Sequence, residues 1–142
     1  MLHASFIGIM SAFYAFFFIF TANHMEFTSM LANGTLQSRL WNNWSNFLAT
    51  GAMTYVGYTI IALALLSFII MFIKKTKRYD EYQSSILTKL LVIGGVISMI
   101  MLPLIMFMLL SDPNYTIETI FLFVTIQWLG ILIANLYYVL KY

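Results

Sequence analysis

Chemistry in this sequence is confined to a few short stretches. His24-Met25-Glu26, with Met30 four residues beyond Glu26, places nitrogen, thioether and carboxylate donors close together in the chain. Thioethers suit Cu(I), so a weak metal contact is what this run offers. Methionine also fills irregular gaps in apolar packing, and with ten in the chain packing is the plainer account. Gln127 and Asn135 stand inside a long apolar run. Amides there act as glue between helices or as contacts to a quinone or other lipid-soluble ligand. His3 and His24 would lie about 30 Å apart along one helix, too far to share a metal or clasp a haem within one chain. There is no cysteine, which removes thiolate sites, thiol nucleophiles and disulfides. These residues make no catalytic constellation, and we expect no cofactor of the chain's own.

The elements that must position these groups follow from composition. Apolar side chains make up 62% and charged ones 8%, against about 45–50% and 25% in soluble domains. The sequence reads as one all-α domain of four transmembrane helices. The expected spans are residues 4–22, 48–73, 90–110 and 120–140, with an outer loop at 23–47 and a basic inner loop at 74–89. At 1.5 Å per residue each covers the roughly 30 Å of hydrocarbon. Leu40, Trp41, Trp44, Phe47 and Leu48 recur at helical spacing opposite Ser38, Asn42, Asn43, Ser45 and Asn46. That pattern predicts a short amphipathic helix in the outer headgroup zone, ahead of the second span.

Small residues mark where helices should approach one another. Ala4, Gly8, Ala12 and Ala15 form one stripe, and Gly94 with Ser98 and Gly130 with Ala134 repeat the small-x-x-x-small spacing. Pro103 should kink the third span. Ser84 or Ser85 is placed to cap that span, Thr116 to cap the fourth, and Glu118 falls in the first turn of the fourth, where a carboxylate suits the positive helix end.

Charge orients the whole. Lys74, Lys75, Lys77, Arg78, Lys89 and Lys141 fall on one side of the proposed spans and Arg39 alone on the other. By the positive-inside rule the crowded side and both termini are cytoplasmic. The cations sit in one loop and touch lipid headgroups at most, which gives no nucleic-acid footprint. Three glycosylation sequons, at Asn33, Asn43 and Asn114, all fall in the two outer loops. If used, they point to an organism that glycosylates its surface, an archaeon or a eukaryote. We expect a prokaryotic cell membrane, archaeal in that case. The first apolar run lacks a basic lead and a small-x-small cleavage site, so it is expected to stay as a helix.

No Asp, Glu, Lys, Arg or His lies deep in a span, which argues against pumps, proton-coupled transporters and ion channels. The expectation is a non-catalytic accessory or structural subunit among other integral membrane subunits, most naturally in a respiratory or oxygenase-type redox assembly. The alternative is a small carrier or binder of a neutral or lipid-like ligand such as a quinone. Thr50-Gly51-Ala52-Met53 and Ala22-Asn23 resemble short runs in the large subunit of cytochrome bd quinol oxidases. That family's haem-ligating histidine has no counterpart, Asn42 or Asn43 standing in its place, so no site is carried over.

Overall fold

The computed structural model describes residues 2–74 and 81–141. Of the basic loop, Lys75, Lys77 and Arg78 lie outside the described residues. Every regular element among the described residues is helical: α1 (Leu2–Ala22), α2 (Met25–Met30), α3 (Arg39–Ala49), α4 (Met53–Ile73), α5 (Glu81–Ser111) and α6 (Thr116–Lys141), with a 3-10 turn at Pro113–Tyr115. Four helices, α1, α4, α5 and α6, are long and apolar enough to cross a membrane. This is the build of a multi-pass membrane protein.

Three of them form a tight core. One line of buried positions on α1 is Ala4, Gly8, Ser11, Ala15, Phe18 and Ala22, with Ile7 buried beside it, and the buried positions of α4 are Met53, Gly57, Ile60, Ala64, Ser67 and Met71. Both sets alternate steps of four and three, the average of about 3.5 that keeps one seam on a neighbour for the length of a helix. In α6 the same rhythm runs through Glu118, Phe121, Thr125, Leu132, Asn135 and Val139. Trp128 fills the missing place, stacked on Tyr14 at 4.1 Å. Ser11 takes the seam position that a step of four would have given to Ala12, which is only half-buried. At about 100° per residue, residues 4 and 11 differ by about 20° around the helix, and residues 4 and 12 by about 80°.

Glycine sets the closest approach. A Cβ on Gly57 would stand 2.5 Å from Ile19 Cγ1 and 2.9 Å from the Ala15 carbonyl oxygen, and one on Gly8 would stand 2.8 Å from the Phe68 ring. These pairs run α4 antiparallel to α1. Tyr14 against Trp128, and Phe18 against Phe121 at 6.0 Å, run α6 antiparallel to α1 as well. The ends of α1 and α6 nearest the termini therefore meet, and Ala4, Met71, Leu87, Tyr138 and Val139 share one apolar cluster there. Lys74 closes this end by donating from Nζ to the carbonyls of Val139 (3.0 Å) and Leu140 (2.5 Å). A cation on the last carbonyls is the favourable charge for a helix C-terminus.

Several element boundaries differ from the sequence expectation, and Thr116, expected to cap the fourth span, is instead the first residue of α6 with helical φ and ψ. Leu48 and Ala49 belong to α3, because Gly51 takes a φ of 73° that other residues reach only at a cost, and the chain turns there before α4 begins. Among the described residues the third long helix runs from Glu81, so Ser84 and Ser85 lie within it. Gly57→Ala should destabilise the bundle by about 1–3 kcal/mol through overpacking. Gly130→Ala, where a Cβ would meet nothing within 4 Å, should leave stability unchanged or raise it. Thermal unfolding of the two variants in one detergent tests the contrast.

Candidate functional site

α5 packs differently from the other three long helices. Leu87, near its start, is the only buried residue among its described side chains. Further along, α5 meets α6 at Gly94 and Ser98, and Met101, Ile105 and Met108 continue the same half-buried line. Gln127 Nε2 donates to Ser98 Oγ, and Ser98 Oγ donates to the Gly94 carbonyl at 2.9 Å. Such contacts between helices in lipid contribute about 0.6–2 kcal/mol each.

Where small residues face one another the helices stand apart. A Cβ on Gly94 would lie 3.7 Å from Ile131 Cγ1, and one on Gly95 or Gly130 would meet nothing within 4 Å. The result is a cleft of about 560 Å³ between α5 and α6, closed on the third side by Ile7 of α1. Ser98, Gln127 and Asn135 are its polar lining residues, and Gly94, Gly95, Gly130 and Ala134 make its room. Among the described residues, no ionisable side chain lines it.

Asn135 is 1% exposed. Its Nδ2 reaches the Ala4 carbonyl at 3.5 Å, a long bond, and its buried Oδ1 has no hydrogen-bond partner among the described residues. Such an acceptor in an apolar surrounding costs about 1–3 kcal/mol. Gln127 and Asn135 thus share one cleft with different duties, the first spent on Ser98 and the second only partly used.

The opposite end of the molecule is organised by Glu118, expected from its position only to favour the start of the fourth span. Glu118 is 1% exposed. Its Oε1 accepts from the Ala32 backbone N–H at 3.1 Å, and its own carbonyl accepts from Trp44 Nε1 at 2.9 Å. Ser45, buried, accepts from the Asn33 N–H at 3.1 Å. Asn42 holds Leu36 at both backbone groups, accepting at 2.8 Å and donating at 2.5 Å. Asn42 and Ser45 sit on the polar side of α3, yet both are spent on the chain ahead of it. The loop at residues 31–38 has no helix of its own to satisfy its backbone and takes these partners instead. A second cavity of about 550 Å³ opens beside it, with Met30, Asp112 and Glu118 in its wall.

His24, Met25, Glu26 and Met30 are all exposed, in or just before α2. Glu26 and Met30, four apart, share a helix face, while Met25 points elsewhere. No group of three or more His, Asp or Glu side chains placed to hold a metal occurs among the described residues. Asn33, in the loop with φ 42°, Asn43 on α3 and Asn114 in the 3-10 turn are exposed at the end of the bundle away from Lys74. No protein-family model, curated protein or solved structure matches this chain.

Glu118→Ala should free the Ala32 amide and loosen residues 31–36 by about 1–3 kcal/mol, while Glu118→Gln keeps an acceptor there and should lie near wild type. Hydrogen exchange at those amides, read residue by residue, reports the difference. Unchanged protection in the alanine variant would refute the latch.

Proposed function

We propose that this chain is a non-catalytic subunit of a membrane complex, docked on its partner through the outer face of α5. Both termini are taken as cytoplasmic, from the cations concentrated at the Lys74 end and the sequons at the other. We read α3 as lying in the outer headgroup zone, its two tryptophans in the aromatic belt. A redox assembly of respiratory or oxygenase type is the host we favour, as a place where a chain without ionisable machinery in its spans has use. The membrane is proposed to be that of a prokaryotic cell.

One observation carries this reading. Met99, Pro103, Met106, Phe107 and Leu110 are exposed along the side of α5 turned from α6. Pro103 has no N–H, so the Met99 carbonyl four residues earlier loses its ordinary helical donor. Pro103 lies about 12 Å from the outer end of α5, within hydrocarbon, where an unmet backbone group costs several kcal/mol. The helix that could have met it, α6, lies on the opposite side. A neighbouring span with a hydroxyl or amide side chain supplies the donor and covers the face.

The exposed side of α4, at Leu65 and Ile69, has no such lesion and is read as facing lipid. Photo-crosslinking residues at Met99, Met106 and Leu110, compared with Leu65 and Ile69, distinguish the two faces in native membranes. Protein adducts are expected from the α5 positions and lipid adducts from α4. Lipid adducts at all five positions, with migration as a lone chain on native gels after mild extraction, would count decisively against the proposal.

A further inference from the structure

We propose that the second cavity, between the loop at residues 31–38 and the turn joining α5 to α6, binds a small organic cation carrying a primary ammonium group, which Glu118 Oε2 and Asp112 recognise. This goes beyond the assembly reading and is independent of it, because none of the cavity's lining residues is among those of α5 assigned to a partner.

Charge decides what the cavity takes. Glu118 is buried in its wall, and the one hydrogen bond to its carboxylate runs from the Ala32 N–H to Oε1. Oε2 has no partner among the described residues. Nor is it sealed off, unlike the unbonded oxygens of Ser11, Thr119 and Asn135. With the rest of the side chain covered, the surface that Oε2 keeps lies on the cavity, which Glu118 and Ala32 both line. A carboxylate taken from water without a counter-charge is costly. Among the described residues no Lys, Arg or His lines this cavity, and Asp112, half-buried, brings a second carboxylate to its wall. Arg39 and His24, the basic residues described at this end of the bundle, lie outside it.

The neutral groups agree with the charge. The hydroxyl protons of Thr35 and Thr116 are spent on the carbonyls of Ala32 (2.5 Å) and Pro113 (2.6 Å), so these residues offer a ligand acceptor lone pairs. Asp112 Oδ1 accepts from the Asn114 N–H at 3.0 Å, and Oδ2 has no partner among the described residues. An ammonium carries three donors and no acceptor, the complement of such a wall. The Gln37 and Asn114 amides and the Tyr115 hydroxyl add donors but no positive charge. A volume of about 550 Å³ is far more than a bare metal ion fills and falls in the range for small ligands. A zwitterionic lipid head fits poorly, since its phosphate would meet two carboxylates and no base.

The test uses the full chain in nanodiscs of neutral lipid, with 1,4-diaminobutane as the cation, 1,4-butanediol as its uncharged counterpart and calcium chloride as the inorganic arm. Hydrogen exchange at the amides of residues 31–36 is the readout. The diamine at ten times the dissociation constant found by titration is expected to slow exchange about tenfold, and the diol at the same concentration to change nothing. Glu118→Gln keeps an acceptor for Ala32 and removes the charge, so it should exchange as wild type without ligand and lose the response to the diamine. A purely structural role for Glu118 would leave that response intact. Asp112→Asn, which spares the Ala32 contact, should weaken the diamine about threefold, the effect of one half-exposed charge; it carries the test if Glu118→Gln itself loosens the loop. The proposal is overturned by the absence of a saturable response to the diamine, or by equal protection from the diol or from calcium ions. A diamine response that survives Glu118→Gln, or is undiminished in Asp112→Asn, overturns it too.

Discussion

Inside a lipid bilayer a helix gains almost nothing by exchanging lipid tails for the apolar side chains of a neighbour, and this constraint governs the whole molecule. What holds α1, α4 and α6 together is how closely their backbones can come and which polar groups they must satisfy. Gly57 against the Ala15 carbonyl and Gly8 against Phe68 give the close approach. Many large aromatic side chains of α1, among them Phe6, Phe13, Phe16 and Phe20, point outward. In water that would be a fault; against lipid it costs nothing.

Polar groups appear along α6 at successive depths, each meeting a different neighbour. Glu118 takes the loop at residues 31–38, Gln127 takes α5 through Ser98, and Asn135 reaches α1 at Ala4. At its far end the last carbonyls receive Lys74 from the end of α4. α6 is thus the spine to which the other elements are fastened. The strength of the fastening varies, and the variation is where function has room. Glu118 is engaged through Oε1 and through its own carbonyl, beside the second cavity. Asn135 is half engaged, and beside it α5 stands off across Gly94, Gly95 and Gly130. α5 is held on one side by a polar relay and at its start by Leu87, which leaves one face to a cleft and the other bare.

The small-residue pattern shows how far spacing alone can be read. The same small-x-x-x-small signal occurs on α1, on α5 and on α6. On α1 it lies in a tight seam with α4. On α5 and α6 it lines open space. Nothing in the spacing separates these outcomes, because a small residue permits close approach without causing it, and the partner's own side chains decide whether the gap is taken up. Phe68 of α4 fills the gap at Gly8 of α1, and Ile19 of α1 fills the gap at Gly57 of α4, whereas a Cβ on Gly94 would have ordinary room at 3.7 Å from Ile131. Glu118 was legible as a helix-start carboxylate, but its burial depends on the Ala32 amide, 86 residues away in sequence, a distance over which local pattern carries no information.

The sequence by itself determined the class of molecule, four apolar helices with one charged hairpin between the second and third, because the cost of placing charge in hydrocarbon is a property of each residue type and needs no partner. It also marked Gln127 and Asn135 as the exceptional residues of the last span, for the same reason. Only the tertiary structure decided that Gln127 is bonded to Ser98 and Asn135 only weakly to Ala4, that Glu118 holds the loop at residues 31–38, and that the small residues of α5 border a cleft. Each of those is a relation between groups far apart in the chain, set by the rotation of one helix against another, and rotation is fixed by the sum of all contacts along a seam.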